Sequence, residues 1–507
     1  MKPLTVVIPY SSSPFFEKAL LPFVRSACVE RILIISQEPV NLRINRCRVL
    51  VAGPISSDET LHLILDRIGT DYLLFVPEAN QLSTEPKVLE RFLRAAESRK
   101  AGVVYSDFYD QNESGKIHHP LNDYQSGSVR DDFDFGTMIL FSVSAVREAL
   151  KEYGDIPQVK FAALYDLRLK ISVDHRIYHL KEPLYSVTRT NESSTMEQLF
   201  AYVDPQNRAI QKEMETVFTD YLKKIGAYLP PHCLREVELR EESFPVEASV
   251  VIPVRNRRET IAEAVKSALS QETDFSFNII VVDNHSTDET TAILSRLCGQ
   301  YPSLKHIVPS RTDLGIGGCW NEALQHEACG RYVVQLDSDD LYSGPTALQK
   351  MVDMLRQGKY AMVIGSYTLV NEWLQEIPPG LIDHREWTGA NGHNNALRIN
   401  GLGAPRAFKT SLMRKIGFLN ASYGEDYAVA LRICREYRIG RIYENLYLCR
   451  RWSGNSDARL SIEAKNRNDA FKDKIRTQEI LARQKMAKGI GHRGRQSLLG
   501  FLGLLSL

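Results

Sequence analysis

The sequence predicts an α/β protein of two tandem units, each a mainly parallel, Rossmann-like sheet with flanking helices, joined by a helical linker and closed by a helical tail. Three observations predict it. Short β-branched runs alternate with amphipathic stretches along the chain, the pattern of strands joined by crossover helices. The segment His175-Arg176-Ile177 through Leu184-Tyr185 to Arg189 matches Tyr437-Arg438-Ile439 through Leu446-Tyr447 to Arg451 without a gap. And the run Tyr332-Val333-Val334-Gln335-Leu336, which ends in Asp337-Ser338-Asp339, has an earlier counterpart in Tyr72-Leu73-Leu74-Phe75-Val76, which ends in Pro77-Glu78-Ala79. The strand persists there and both outer carboxylates are gone.

In the first unit, taken as residues 1–195, strands are expected at residues 4–9, 31–35 and 72–76. Residues 196–243 read as a linker: a charged helical pattern, then Pro230-Pro231 and an acidic stretch. The second unit, residues 244–457, opens with the strand Ser249-Val250-Val251-Ile252-Pro253. An amphipathic stretch near residues 258–270 follows, with Ile261, Ala264, Val265 and Leu269 on one face, then the strand Asn278-Ile279-Ile280-Val281-Val282-Asp283. A glycine loop, Gly315-Ile316-Gly317-Gly318, precedes another helix and the strand leading to Asp337. That loop follows the third strand rather than the first, so it is poor evidence for a dinucleotide fold.

Length and composition bound the function. At 507 residues the prior is about three domains, and 43% hydrophobic with 25% charged residues is ordinary for a soluble globular protein. A net charge of +1 argues against a protein that coats nucleic acid. The eight cysteines include no Cys-x-x-Cys pair, and they read as free thiols in a reducing compartment. No segment reaches the roughly 18 apolar residues of a membrane span, and the start lacks a signal core, so a cytoplasmic protein is expected. The tail, residues 458–507, is basic: residues 459–496 hold eleven Lys/Arg against four Asp/Glu, and residues 497–507 are apolar. Such a tail can lie on an anionic membrane at the inner face of the cell, or pack on its own protein or on a second subunit.

Two aspartates one residue apart at the C-terminal edge of a buried parallel strand can hold a hard divalent cation and the diphosphate it carries. The same cluster also suits a helix cap. Gly424-Glu425-Asp426 opens a helix, where acids are favoured by the dipole.

Four motifs in order, Val251-Ile252-Pro253-Val254-Arg255-Asn256, Val281-Val282-Asp283-Asn284-His285-Ser286-Thr287-Asp288, Leu336-Asp337-Ser338-Asp339-Asp340 and Gly424-Glu425-Asp426-Tyr427, make residues 249–455 resemble a family 2 glycosyltransferase with the GT-A fold. Residues 4–189 resemble the same family in outline. The resemblance implies an inverting enzyme moving a sugar from a nucleoside-diphosphate sugar, a UDP-sugar being favoured, to a glycan or lipid-linked glycan in building a bacterial surface polysaccharide. Asp339, with Asp337, would bind Mn²⁺ or Mg²⁺. Pro253, Val254, Arg255, Asn256, Asp283, Asn284, Asp337, Ser338 and Arg451 would hold the nucleotide sugar. Asp426 would deprotonate the acceptor hydroxyl, and Glu425 would orient it. The sequence departs from the family in Cys319-Trp320-Asn321, which lacks the basic residue often found before this asparagine, and at Trp452, where many relatives carry a metal-binding histidine. Trp387, His393, Asn394 and Asn395 occupy the stretch that usually faces the acceptor, or form an ordered surface loop.

The first unit has Ser36, Pro77, Ala79 and Leu164 where the resemblance requires acids, so a non-catalytic companion that binds acceptor or braces its partner is expected. A sugar-phosphate nucleotidyltransferase needs a glycine-rich loop after the first strand, and Val254-Arg255-Asn256-Arg257 has none. A non-enzymatic glycan-binding scaffold leaves the acids of the second unit without a purpose.

Overall fold

The computed structural model describes residues 3–13, 16–77, 82–112, 115–188, 207–237, 243–455, 458 and 460–490. Its first sheet has seven strands in the order Arg176–Leu180, Ala101–Ser106, Ile139–Ser142, Tyr72–Phe75, Leu4–Pro9, Val29–Ser36 and Cys47–Val51. The second sheet runs Leu304–Ile307, Phe277–Asp283, Ala248–Val254, Tyr332–Gln335, Arg406–Lys409, Met362–Val370 and Ile439–Arg450, with the short Leu341–Tyr342 beyond and Glu376–Ile382 on Met362–Val370. Reversing the second order gives the first. Both sheets insert an antiparallel strand at the same place, Ile139–Ser142 against Tyr72–Phe75 and Arg406–Lys409 against Tyr332–Gln335.

The repeat read from the sequence extends to the helices. The twelve-residue helices Ala163–Asp174 and Glu425–Glu436 begin and end in the register of that repeat. What differs is the edge. The strand Ile439–Arg450 is continuous, whereas its counterpart is split into Arg176–Leu180 and Tyr185–Thr188. Tyr185–Thr188 joins a small separate sheet with Leu82–Thr84, Phe108–Asn112 and Gly115–His119. The central strands of both sheets are apolar on both faces, as sheets covered by helices require; Val250, Val251, Ile252, Ile279, Ile280 and Val281 are fully buried.

The linker helix Arg208–Lys224 and the 29-residue C-terminal helix Ile462–Ile490 lock the units together. Arg398 of the second unit donates to Asp131 Oδ1 of the first and to Gln211 Oε1 of the linker, both at 2.8 Å. Asp473 of the C-terminal helix accepts from Ser128 at 2.8 Å, and Thr477 Oγ1 accepts from the Gly127 N–H at 2.8 Å. On its other side Arg483 Nη2 donates to the His393 carbonyl at 2.9 Å. Asp473, Arg476 and Arg483 are fully buried. Of the two readings of this basic tail, packing on its own protein describes residues 462–490, whose central charges are held inside the protein. Residues 497–507 lie outside the described residues. Among the described residues no helix is long and apolar enough to cross a membrane.

Candidate active site

The strand Tyr332–Gln335 ends at a tight turn closed by the Asp340 N–H on the Asp337 carbonyl, 3.2 Å. Three neighbours fix that turn. Tyr447, brought alongside by the register Leu341 to Leu448 and Tyr342 to Tyr447, accepts the Asp337 N–H at 2.9 Å. The Thr260 hydroxyl donates to the Ser338 carbonyl at 2.9 Å, and the Arg450 N–H donates to Asp340 Oδ1 at 2.7 Å. Asp340 is thus the buried anchor of the turn, its carboxyl pushed well above the ordinary range by burial and by the Asp339 and Asp337 charges. Asp337 and Asp339 are partly exposed. The Asp337 carboxyl is also raised, first by burial and then by Asp339 and Asp426, with Gln335 and Arg406 opposing.

Across the cleft, Gly424 adopts φ +74° before the helix Glu425–Glu436, a left-handed conformation that glycine takes without strain. The helix start is pressed close by the glycine loop. A Cβ on Gly317 would sit 1.9 Å from the Leu419 carbonyl oxygen, and the Gly317 N–H bonds the Ala421 carbonyl at 3.0 Å. The loop's close backbone approach is to its own chain. Asp426 receives Arg406 Nη1 at 2.7 Å and the Tyr427 N–H at 2.7 Å. Burial alone would raise its carboxyl, but the Arg406 and Lys472 charges outweigh burial and hold it below the ordinary range. Glu425 is buried; burial and the Asp426 charge push it up to about 8. One acid of the pair is therefore ionised at neutral pH and the other holds a proton.

The loops after the first two strands of the second sheet are laced together. The Asn256 N–H donates to Ser286 Oγ at 2.9 Å, and Asn256 Oδ1 accepts the Thr287 N–H at 2.8 Å. Asn256 and His285 have φ of 54° and 57°, a region that Asn and His tolerate better than most residues. Pro253 and Arg255 are partly or fully exposed, whereas Val254 is buried. Asp283, expected from the resemblance to contact the nucleotide, is engaged by its own loop. It is fully buried, and it accepts from the Ser286 N–H at 2.9 Å, Thr291 at 2.6 Å and His306 at 3.4 Å. Burial raises its carboxyl, but these bonds outweigh burial and hold it well below the carboxylate range. These bonds tie the end of the strand to the loop that follows it. Asn284 likewise turns inward and donates to the Leu314 carbonyl at 2.7 Å.

Other expectations shift. Arg450 is buried and donates to Glu263 at 2.6 Å, so it braces the sheet edge. Arg451 is half-buried, with its N–H on the Val370 carbonyl at 2.7 Å. His393, Asn394 and Asn395 are buried, which corrects both the acceptor-facing and the surface-loop readings. His393 and Asn394 bond the Leu229 carbonyl at 2.6 and 3.0 Å, because this stretch is the junction of linker, second unit and C-terminal helix. Trp387 is buried under the Arg441 guanidinium, 4.7 Å from the ring centroid.

Three residues escaped the sequence reading. Arg406 ties Asp426 down. Arg257 Nε lies 3.7 Å from Asp339 Oδ2 and is buried without a hydrogen-bond partner. Lys472, from the C-terminal helix, lies over the Tyr423 ring at 4.5 Å and donates to the Asn400 carbonyl at 2.7 Å. Burial pulls its ammonium down to about 8. The spacing rule that located the acids carries no signal for cations that arrive from other elements.

The donor set bears on a divalent cation. Asp339 Oδ2 accepts from Trp452 Nε1 at 3.1 Å and Asn455 Nδ2 at 3.2 Å, leaving Oδ1 for a ligand. Trp452 thus stands at the acid, but an indole N–H is a donor only and ligates no metal. Among the described residues no group of three His, Cys, Asp or Glu side chains could enclose an ion. Two carboxylates fit Mg²⁺ or Mn²⁺ of the kind that keeps waters and substrate phosphates in its shell.

Residues 249–416 match the glycosyl transferase family 2 model. EpsE of Bacillus subtilis is 32% identical over 124 residues, 24% of this chain and 44% of that protein. A GalNAc(5)-diNAcBac-PP-undecaprenol beta-1,3-glucosyltransferase of Campylobacter jejuni is 33% identical over 126 residues, 24% of this chain and 39% of that protein. A poly(ribitol-phosphate) beta-glucosyltransferase of Bacillus spizizenii is 26% identical over 213 residues, 41% of this chain and 33% of that protein. The chain spans less than half the length of each of these relatives. Among solved structures, residues 1–349 of S. aureus TarS with UDP-GlcNAc align at TM-score 0.36 and 22% identity, over 47% of this chain and 73% of that one. The matched stretch begins in the first strand of the second sheet, includes the acidic turn and ends just past the strand of Arg406: the chain carries a family 2 glycosyltransferase domain in its second half.

Proposed function

We propose that the protein is an inverting, metal-dependent glycosyltransferase that moves a sugar from a nucleoside-diphosphate donor, UDP-sugars favoured, to a glycan or lipid-linked glycan. The observation that carries this reading is Arg406, which bonds Asp426 at 2.7 Å while its charge also bears on Asp337 and Glu425. A single cation in reach of both acidic groups supports one cleft rather than two. Asp426, kept ionised by Arg406, accepts the proton of the acceptor hydroxyl as its oxygen attacks the anomeric carbon. The bond from that carbon to the diphosphate breaks, and the electron pair leaves with the diphosphate. Attack from the opposite face inverts the centre. Protonated Glu425 donates a hydrogen bond that orients the acceptor. A Mg²⁺ or Mn²⁺ held by Asp339, with Asp337, would neutralise the departing diphosphate as a Lewis acid. Arg257, with an unsatisfied donor beside Asp339, is placed to add a charge-assisted hydrogen bond to a phosphate.

We assign catalysis to residues 244–457, with residues 196–243 as linker and 458–507 as tail, and we read residues 1–195 as a non-catalytic companion. Pro77 and Leu164 at the positions of Asp337 and Asp426 support that reading; Ala79 lies outside the described residues. The names of two relatives concern a polyprenyl-diphosphate-linked glycan and a polyol-phosphate polymer, which supports a part in bacterial surface polysaccharide synthesis. All eight cysteines are free, in keeping with the reducing environment of the cytoplasm.

The test is a screen of nucleotide sugars for manganese-dependent nucleotide release by the full chain. One donor class should turn over, and Asp339→Ala should abolish release. Turnover that survives Asp339→Ala would place the active site elsewhere, including the first unit.

A further inference from the structure

A cavity of about 780 Å³ opens on the first unit, away from the acidic cleft. That volume lies within the range of ligand pockets, roughly 300–1,000 Å³. Tyr124, Tyr178 and Tyr221 line it, and of these Tyr124 is half-buried and carries an apolar ring.

Its charges are unevenly matched. The two acids in the lining are already engaged: Glu182 receives Arg91 Nε at 2.8 Å, and Asp123 receives Lys181 at 2.7 Å and His179 at 2.9 Å. His175 lies 3.3 Å from Glu148. Arg99 and Arg176 remain, and among the described residues neither has a carboxylate partner within ion-pair distance. Both guanidinium groups lie over the same ring, 5.3 and 5.0 Å from the Tyr178 centroid. The fold brings them there. Arg99 ends the helix Pro86–Arg99, and Arg176 begins the strand Arg176–Leu180, paired in parallel with Ala101. Stacking on an aromatic face holds each planar fork in place, and both forks line one cavity without a carboxylate to neutralise them. Guanidinium groups bind phosphate and carboxylate oxygens in pairs.

We infer that this cavity binds a glycan chain bearing oxyanions, phosphate or uronate, with Arg99 and Arg176 on the anion and Tyr124 against a sugar ring. The site lies on the half that lacks the acids of the transferase cleft. It would hold the growing anionic polymer while the second half works on its end. This purpose rests on the transferase reading; the binding itself does not.

The test uses the full-length protein and three oligomers of equal length: a glycerol-phosphate oligomer, an oligogalacturonate and a neutral chito-oligosaccharide. Binding is measured by calorimetry at low and high salt. At least one anionic oligomer should bind, more weakly as salt rises, and the neutral one about tenfold or more weakly still. The exposed pair Arg99→Ser with Arg176→Ser should weaken anionic binding by about tenfold or more, with an unchanged melting temperature. Whether the phosphate or the uronate chain binds decides the source of the anion. No anionic binding, equal binding of the neutral chain, equal binding by the double variant, or displacement of the oligomer by UDP with manganese would each overturn the inference. Nucleotide release from the same preparations is read separately. Lost release with retained oligomer binding counts against the transferase reading alone, and the reverse counts against this site alone.

Discussion

Replacing Arg476 by Met should loosen the C-terminal helix from the second unit. Arg476 Nε donates to the Tyr427 hydroxyl at 3.0 Å, and Nη1 donates to Asp473 at 2.8 Å. Its Nη2 donates to the Ile399 carbonyl at 3.0 Å and to Asn400 Oδ1 at 2.9 Å. Arg476 and Asp473 are both fully buried. Removing one partner of such a pair costs about 3–5 kcal/mol, because the other charge stays buried. Asp473 keeps Ser128 at 2.8 Å and Arg130 Nε at 3.4 Å, and Met fills much of the apolar stem, so the expected loss is near the lower figure, about 3 kcal/mol. Urea unfolding followed by tryptophan fluorescence is the assay, since Trp320, Trp373, Trp387 and Trp452, the four tryptophans, all lie in the second unit. At a denaturant slope of about 3 kcal/mol per molar, the midpoint should fall by roughly 1 M. Exposed Lys488→Gln should move it hardly at all. A shift below about 1 kcal/mol for Arg476→Met would refute the claim that this helix is an internal brace.

Glu425→Gln should stabilise the protein at neutral pH while lowering turnover. The folded Glu425 carboxyl stands at about 8 against an ordinary 4.5, so the folded protein holds a proton that the unfolded chain has released. Stability should fall as pH rises from about 4.5 to 8, and the variant should gain up to about 3 kcal/mol at pH 7; a denaturation series across this range that is equally steep in both proteins would count against the buried, protonated acid. Trp452→His trades an indole donor on Asp339 for an imidazole ligand, and should tighten manganese binding in the presence of UDP by roughly tenfold. Paramagnetic resonance titration of free manganese checks it, and unchanged affinity would separate this position from the metal.

The acids were legible because strand edges and helix starts are local events. An apolar run ending in Asp337-Ser338-Asp339 and a helix opening at Glu425 announce themselves within a few residues, and the repeat fixed the register of the helices Ala163–Asp174 and Glu425–Glu436. The cations that govern those acids were not legible. Arg406 reaches Asp426 from an antiparallel strand, and Lys472 comes from a helix beyond the matched domain. Neither position differs in composition from a surface residue. The C-terminal helix misled for the same reason, since its sequence counts charges while only the tertiary structure supplies the partners that bury Arg476 and Arg483. Asp283 shows the converse: its strand-end position was read correctly, but the hydrogen bonds of its own turn occupy the carboxylate.

Asp339 and Asp426 divide the labour, one holding the donor with its cation and the other taking the acceptor's proton. Donor binding by calorimetry with manganese, alongside initial rates of transfer, separates the two. Asp426→Asn should bind the nucleotide sugar as the parent does and lose transfer by about 10² to 10⁴, whereas Asp339→Ala should lose both. An Asp426→Asn enzyme that retains transfer within a few fold, or an Asp339→Ala enzyme that still binds donor with manganese, would contradict it.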